Sequence, residues 1–162
     1  MQPPSAPIKT KDEDLMVTAP DEPSAKQWAQ LEHMARAAAQ RAYAPYSRFV
    51  VGAAVLADNG NIYPGCNVEN ASYGLTTCAE RNALTSARSQ HGITNILAVC
   101  IYTPTSHPTA PCGACRQVLN EFGPNMRVRA ICDGPERLDA ILSELLPEAF
   151  VPHHLASSVP RS

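Results

Sequence analysis

Three thiols and a carboxylate stand at spacings that chemistry can use. Cys78, Ala79 and Glu80 set a thiol and an acid two residues apart, and Pro111-Cys112-Gly113-Ala114-Cys115 adds a Cys-x-x-Cys pair. Thiolates suit zinc, which takes four tetrahedral ligands; structural sites fill all four, while catalytic sites keep one for water. No fourth Cys or His stands at matching spacing, so the pattern predicts an ion held by Cys78, Cys112 and Cys115 with a position left for water. Glu80, one helical step from Cys78, is placed to move protons. Three thiolates leave the ion negatively charged overall, and such an ion acidifies water less than one held by neutral imidazoles. Proton transfer therefore falls on Glu80. Arg81 and two helix N-termini are expected to soften the thiolate charge, and Gly113 to let its loop approach the metal closely.

These residues have competing readings. The Cys-x-x-Cys pair alone could be a redox dithiol or half of a structural zinc site. Thr77 and Glu80 also match a helix capping box. A non-catalytic zinc module would need a fourth ligand, for which Cys66 and His107 are the candidates. His107 otherwise reads as an exposed loop residue, and Cys66, Cys100 and Cys132 as small buried hydrophobes in strands.

The elements that must position these groups follow from periodicity. Trp28, Leu31, Met34 or Ala35, and Ala38 recur at helical spacing, predicting an amphipathic helix that ends near Tyr43 before Pro45. A strand over 49–57, the turn Asp58-Asn59-Gly60-Asn61 and a return strand over 62–66 predict a hairpin. A second helix is expected from Thr77 or Cys78 to about Gln90, and a buried strand over 95–102. A third helix over 112–122 is stopped by Gly123 and Pro124. A strand over 126–132, the turn Asp133-Gly134-Pro135 and a short strand and helix over 138–146 complete the pattern. This order predicts helices on both faces of one mixed sheet of about five strands, a three-layer α/β/α domain.

With these elements in place, the chain resembles the cytidine deaminases, the zinc-dependent, small-subunit nucleoside deaminase family. The Cys-x-Glu followed by Pro-Cys-x-x-Cys matches the three-cysteine form of the zinc nucleobase deaminase signature. The resemblance also rests on 44–49 (Ala-Pro-Tyr-Ser-Arg-Phe), 51–54 (Val-Gly-Ala-Ala), 65–73 (Gly-Cys-Asn-Val-Glu-Asn-Ala-Ser-Tyr), 111–117 (Pro-Cys-Gly-Ala-Cys-Arg-Gln) and 144–147 (Glu-Leu-Leu-Pro). It implies a cytidine-deaminase-like fold, one Zn²⁺ per subunit, and hydrolytic deamination of cytidine and deoxycytidine in pyrimidine salvage, with Glu80 as proton shuttle. It further implies that Asn67 and Glu69 bind the ribose hydroxyls and that Phe49 packs on the pyrimidine. The Ala79 carbonyl would hold the base edge with Glu80. Tyr73 and Phe150 would be contributed across subunit boundaries of a homotetramer with shared active sites. The loop over 103–110 is individual to this chain.

Composition bounds the partners. At 162 residues with a formal net charge of −2 and no Lys/Arg run, the chain lacks the footprint of a nucleic-acid or anionic-membrane binder. Glu69 bears on the substrate: a carboxylate on a sugar hydroxyl repels a phosphate about 4 Å away by roughly 1–4 kcal/mol. Free nucleosides are therefore favoured over nucleotides. The polar, Pro-rich start carries no apolar signal segment, and no run reaches the roughly 18 apolar residues of a membrane span. A soluble cytoplasmic protein is expected, with a flexible extension over 1–25, a deaminase domain over 26–152 and a flexible tail over 153–162.

Overall fold

The computed structural model describes residues 22–156. The expected extension and tail fall mostly outside the described residues. At their inner margins they differ from expectation: Glu22 accepts a hydrogen bond from Trp28 Nε1 at 3.2 Å, Pro23 is buried, and 153–156 form a helical turn. Ser24 closes a capping box with Gln27, the Gln27 N–H donating to Ser24 Oγ at 3.3 Å and the Ser24 N–H to Gln27 Oε1 at 2.9 Å. The first helix, α1 (Ala25–Ala39), therefore starts three residues before Trp28. It stops short of Tyr43, whose backbone instead bridges to Val68 and trades hydrogen bonds with Asn67 and Glu69.

The remaining elements are β1 (Gly52–Ala57), β2 (Ile62–Cys66), a 3-10 turn (Tyr73–Leu75), α2 (Ala79–His91), β3 (Ile96–Tyr102), α3 (Gly113–Asn120), β4 (Arg127–Ile131), β5 (Arg137–Ile141), α4 (Leu142–Leu145) and α5 (His153–Ala156). The sheet order is β2-β1-β3-β4-β5, with β3 and β4 parallel and the other pairs antiparallel. Gly60, at φ 79°, makes the predicted hairpin turn between β1 and β2.

Strand β1 is buried at all six positions, because both of its faces are covered. Ala53, Val55 and Ala57 pack with Ala83, Leu84 and Ala87 of α2 and Leu119 of α3. The alternate residues Ala54 and Leu56 pack with Trp28, Leu31 and Ala35 of α1. The expected three-layer α/β/α architecture is thus the observed one. The strand begins at Gly52 rather than residue 49, for a reason that belongs to the site below. Among the described residues no helix is long and apolar enough to cross a membrane.

Candidate active site

Two helix N-termini meet on one face of the sheet. Cys78 is the N-cap of α2 and Cys112 the N-cap of α3, with Cys115 in the first turn of α3. A cap residue has extended backbone and a side chain free of the helical ladder, which lets both cysteines project towards one point. The Sγ atoms of Cys78, Cys112 and Cys115 all lie within 4.8 Å of one another. Two sulfurs each about 2.3 Å from a tetrahedral ion would be about 3.8 Å apart, so the cluster fits zinc. Burial raises the Cys112 thiol, but hydrogen bonds from the Cys115 N–H and from the Cys115 and Cys78 side chains outweigh it and lower the value. Burial and Glu80 push Cys115 far up.

No fourth protein ligand joins the cluster among the described residues. His107 is exposed and pairs with Glu136 at 3.1 Å. Cys66 donates to the Arg41 carbonyl at 3.4 Å. The capping-box reading of Thr77 and Glu80 is not realised either: Cys78 occupies the cap, while Thr77 exchanges backbone hydrogen bonds with Val68.

Glu80 sits in the first turn of α2 and is 4% exposed. Burial raises its pKa, against lowering by its own backbone N–H, the Cys115 thiol and Arg81. Arg81 reaches back over the cluster, with Nη2 donating to the Thr76 carbonyl at 3.0 Å and to Cys78 Sγ at 3.7 Å. Its Nε is buried without a hydrogen-bond partner among the described residues. The Cys78 contact raises its already high pKa, so the guanidinium stays charged beside the thiols.

These groups open on a cleft of about 220 Å³, whose lining includes Phe49, Asn67, Glu69, Cys78, Ala79, Glu80 and Cys112. Asn67, nearly buried, accepts from the Val51 N–H and donates to the Phe49 carbonyl, both at 2.8 Å. One amide thus does for 49–51 what a neighbouring strand would have done, which is why β1 starts later than its sequence suggests. Arg48, left-handed at φ 58°, turns the chain into this segment. The Glu69 carboxylate accepts from the Tyr46 N–H at 2.9 Å, the Ser47 N–H at 3.2 Å and the Ser47 hydroxyl. The Ser47 hydroxyl first, then the two N–H groups, lower its pKa against partial desolvation, keeping it ionised.

Two expectations about the backbone are corrected. A Cβ at Gly113 would meet nothing within 4 Å, so close approach does not explain that glycine. The close approach is at Gly65 of β2, where a Cβ would collide with Ala83 N, stand 2.7 Å from Ala79 O and 2.8 Å from Ala83 Cα. This contact seats the first turn of α2 on the sheet and turns the Ala79 carbonyl towards Gly65 rather than a ligand. The free group of Ala79 is its first-turn N–H.

Tyr73 and Phe150 do not line the cleft. Tyr73 is 76% exposed, 6.1 Å from the Tyr46 ring, and with it lines a second depression that shares Ser47, Glu69 and Thr76 with the cleft. Phe150 is also exposed, its carbonyl accepting from Gln117 Nε2 at 2.8 Å. Sequence reasoning missed Ser47, Thr76, Thr103 and Thr109, which also line the cleft. Ser47 lay within the quoted 44–49 segment, but nothing local distinguished it.

The fold and cluster therefore define a three-layer α/β/α domain built around a three-thiolate zinc site. The family model of the cytidine and deoxycytidylate deaminase zinc-binding region matches residues 25–131. The cytidine deaminase of Halalkalibacterium halodurans is 47% identical over 114 residues, covering 70% of this chain and 86% of that protein. That of Mycobacterium tuberculosis is 46% identical over 123 residues, covering 76% and 89%. A crystal structure of the cytidine deaminase from Burkholderia pseudomallei superposes with a TM-score of 0.72 at 46% identity, covering 75% of this chain and 98% of that one. The chain belongs to the cytidine deaminase family.

Proposed function

We propose that this protein hydrolyses cytidine and deoxycytidine to uridine and deoxyuridine with release of ammonia. One observation carries the reading: a three-thiol cluster without a fourth protein ligand among the described residues shares a cleft with the buried carboxylate of Glu80. A structural zinc site needs neither the open ligand position nor the acid.

Cys78, Cys112 and Cys115 would hold the zinc. When bound, it supplies the Lewis acidity that makes water a nucleophile at neutral pH. The Glu80 carboxylate takes the water's first proton as its oxygen bonds to C4 of the pyrimidine, and delivers that proton to ring N3. It then carries the second proton to the exocyclic nitrogen, so that the C4–N bond breaks and ammonia leaves. Phe49 packs on the ring, and the Ala79 N–H donates to the base. Asn67 and Glu69 take the sugar hydroxyls, the 3′-OH above all, which is indifferent to the 2′ position. Arg81 offsets thiolate charge, and Arg81→Gln is expected to weaken zinc retention or activity; unchanged values of both would remove it from the account.

The deciding assay follows the cytosine-to-uracil absorbance change with cytidine, deoxycytidine and dCMP. Both nucleosides should turn over and dCMP should be strongly disfavoured. A protein inert on both nucleosides at full zinc occupancy would sink the reading. Glu69→Gln should raise KM for the nucleosides by about ten- to a hundredfold, the loss of one charge-assisted hydrogen bond, while narrowing the preference over dCMP. An unchanged KM would take Glu69 out of the sugar site.

The working unit is a homotetramer with shared sites, a reading supported by the large side chains that Tyr73, Leu75 and Phe150 leave exposed. Sedimentation should give about 70 kDa, four chains of 17.4 kDa, and Leu75→Asp should dissociate it; a monomer at micromolar concentration would overturn this. We place the reaction in the cytoplasm, where the unpaired Cys66, Cys100 and Cys132 stay reduced.

A further inference from the structure

The loop over 103–110 joins β3 to the metal-site segment and contributes Thr103, Thr109 and Ala110 to the cleft wall. Thr103 is 1% exposed, so its hydroxyl must find partners within the protein. Thr103 Oγ1 lies 2.8 Å from Thr105 Oγ1 and 3.4 Å from Thr109 Oγ1, and Thr105 Oγ1 lies 2.7 Å from the His107 carbonyl oxygen.

Proton counting fixes the direction of this chain. A hydroxyl has one proton to donate, and a carbonyl has none. Thr105 therefore spends its proton on His107, and can only accept from Thr103. Thr103, having donated to Thr105, can only accept from Thr109. The hydroxyls run Thr109 to Thr103 to Thr105 to the His107 carbonyl, each polarising the next. Its two middle members are anchored independently by their backbones: the Thr103 N–H donates to the Ile131 carbonyl at 3.2 Å, and the Asp133 N–H to the Thr105 carbonyl at 3.0 Å. The chain thus ties Thr109, three residues before Cys112, to the end of the sheet.

We propose that Thr103 is a positioning residue for this site, its buried hydroxyl holding the 109–112 segment against the sheet and thereby Cys112 and the cleft wall in place. The proposal rests on the reading of Cys112 as a zinc ligand. Thr103→Val keeps the side-chain shape and removes the middle of the chain; Thr105→Val removes the acceptor that orients the Thr103 hydroxyl, at a residue that does not line the cleft. Thr103→Ser keeps the hydroxyl and removes only the methyl group.

The test is the rate at which a chelator in excess strips zinc from the loaded full-length protein. Both valine variants should lose zinc about tenfold faster than the parent, the scale of one or two hydrogen bonds, and Thr103→Ser within about twofold of it. KM for cytidine should rise in the valine variants with kcat nearly constant. Parental zinc-loss rates in both valine variants overturn the proposal. Equal acceleration by Thr103→Ser overturns it too, since packing rather than the hydroxyl would then be responsible. A parent protein that holds zinc but leaves cytidine untouched speaks against the deaminase reading alone, and the zinc-loss rates still decide the role of Thr103.

Discussion

Replacing Glu80 with glutamine will lower turnover of cytidine by about four orders of magnitude and leave zinc bound. Glutamine matches glutamate in shape but cannot accept a proton, so both transfers assigned to this side chain are lost. A positioned acid or base contributes about 10²–10⁴ in rate. Loss of a group that serves twice belongs at the upper end, about 5 kcal/mol of barrier. Bulk water cannot stand in, because Glu80 is 4% exposed where it lines the cleft. Zinc should stay, because the candidate ligands are the three cysteine sulfurs and the carboxylate is not among them. Steady-state kinetics with metal analysis on the same sample separates the cases. Turnover within about tenfold of the parent would remove Glu80 as the proton carrier, and loss of zinc would make its role structural.

What the sequence reveals about this site depends on how local each relation is. Cys78, Glu80, Cys112 and Cys115 are legible because their chemistry is written in spacings of two and three residues, which a helix start turns directly into geometry. The hairpin and the central strands are legible for the same reason, from turn residues and apolar runs. The errors arise where one side chain supplies what sequence logic assigns to a backbone. The strand expected from residue 49 begins at Gly52 because the Asn67 amide satisfies 49–51 from 16 and 18 residues away. The helix expected to reach Tyr43 stops at Ala39 because Tyr43 is drawn into a bridge with Val68. Neither contact leaves a local trace. The sugar role expected of Glu69 comes only through resemblance, while its hold on the turn at Tyr46 and Ser47 is visible only in the folded chain. Gly113, next to Cys112, is the glycine that local spacing singles out, whereas the backbone contact that needs no side chain lies at Gly65, beneath α2. The threonine chain is the extreme case, since three hydroxyls in a loop have no meaning until the sheet has folded around them.

Stripping zinc from the protein will lower its melting temperature by roughly 8–16 °C without unfolding it at room temperature. An ion that binds only the folded state adds about 4 kcal/mol when free zinc exceeds Kd a thousandfold, and each kcal/mol moves a domain of this size by about 2–4 °C. The sheet and its two packed faces do not depend on the metal: Val55, Val99 and Leu119 on one side and Leu31, Leu56 and Trp28 on the other are buried by protein. The loss instead falls on the N-termini of α2 and α3, which the thiols join. Cys115→Ser should melt like the stripped protein and gain nothing when zinc is restored. Cys132→Ser, at a buried cysteine whose thiol instead faces the Ser106, Gly134 and Glu136 carbonyls and lies nearest to Glu136 O at 3.3 Å, should still gain the full zinc-dependent increment. Calorimetric melts in chelator and in excess zinc measure all three proteins. Coincident melts of the parent in both conditions would mean that the ion contributes nothing to the fold, and an increment retained by Cys115→Ser would move the site away from this thiol.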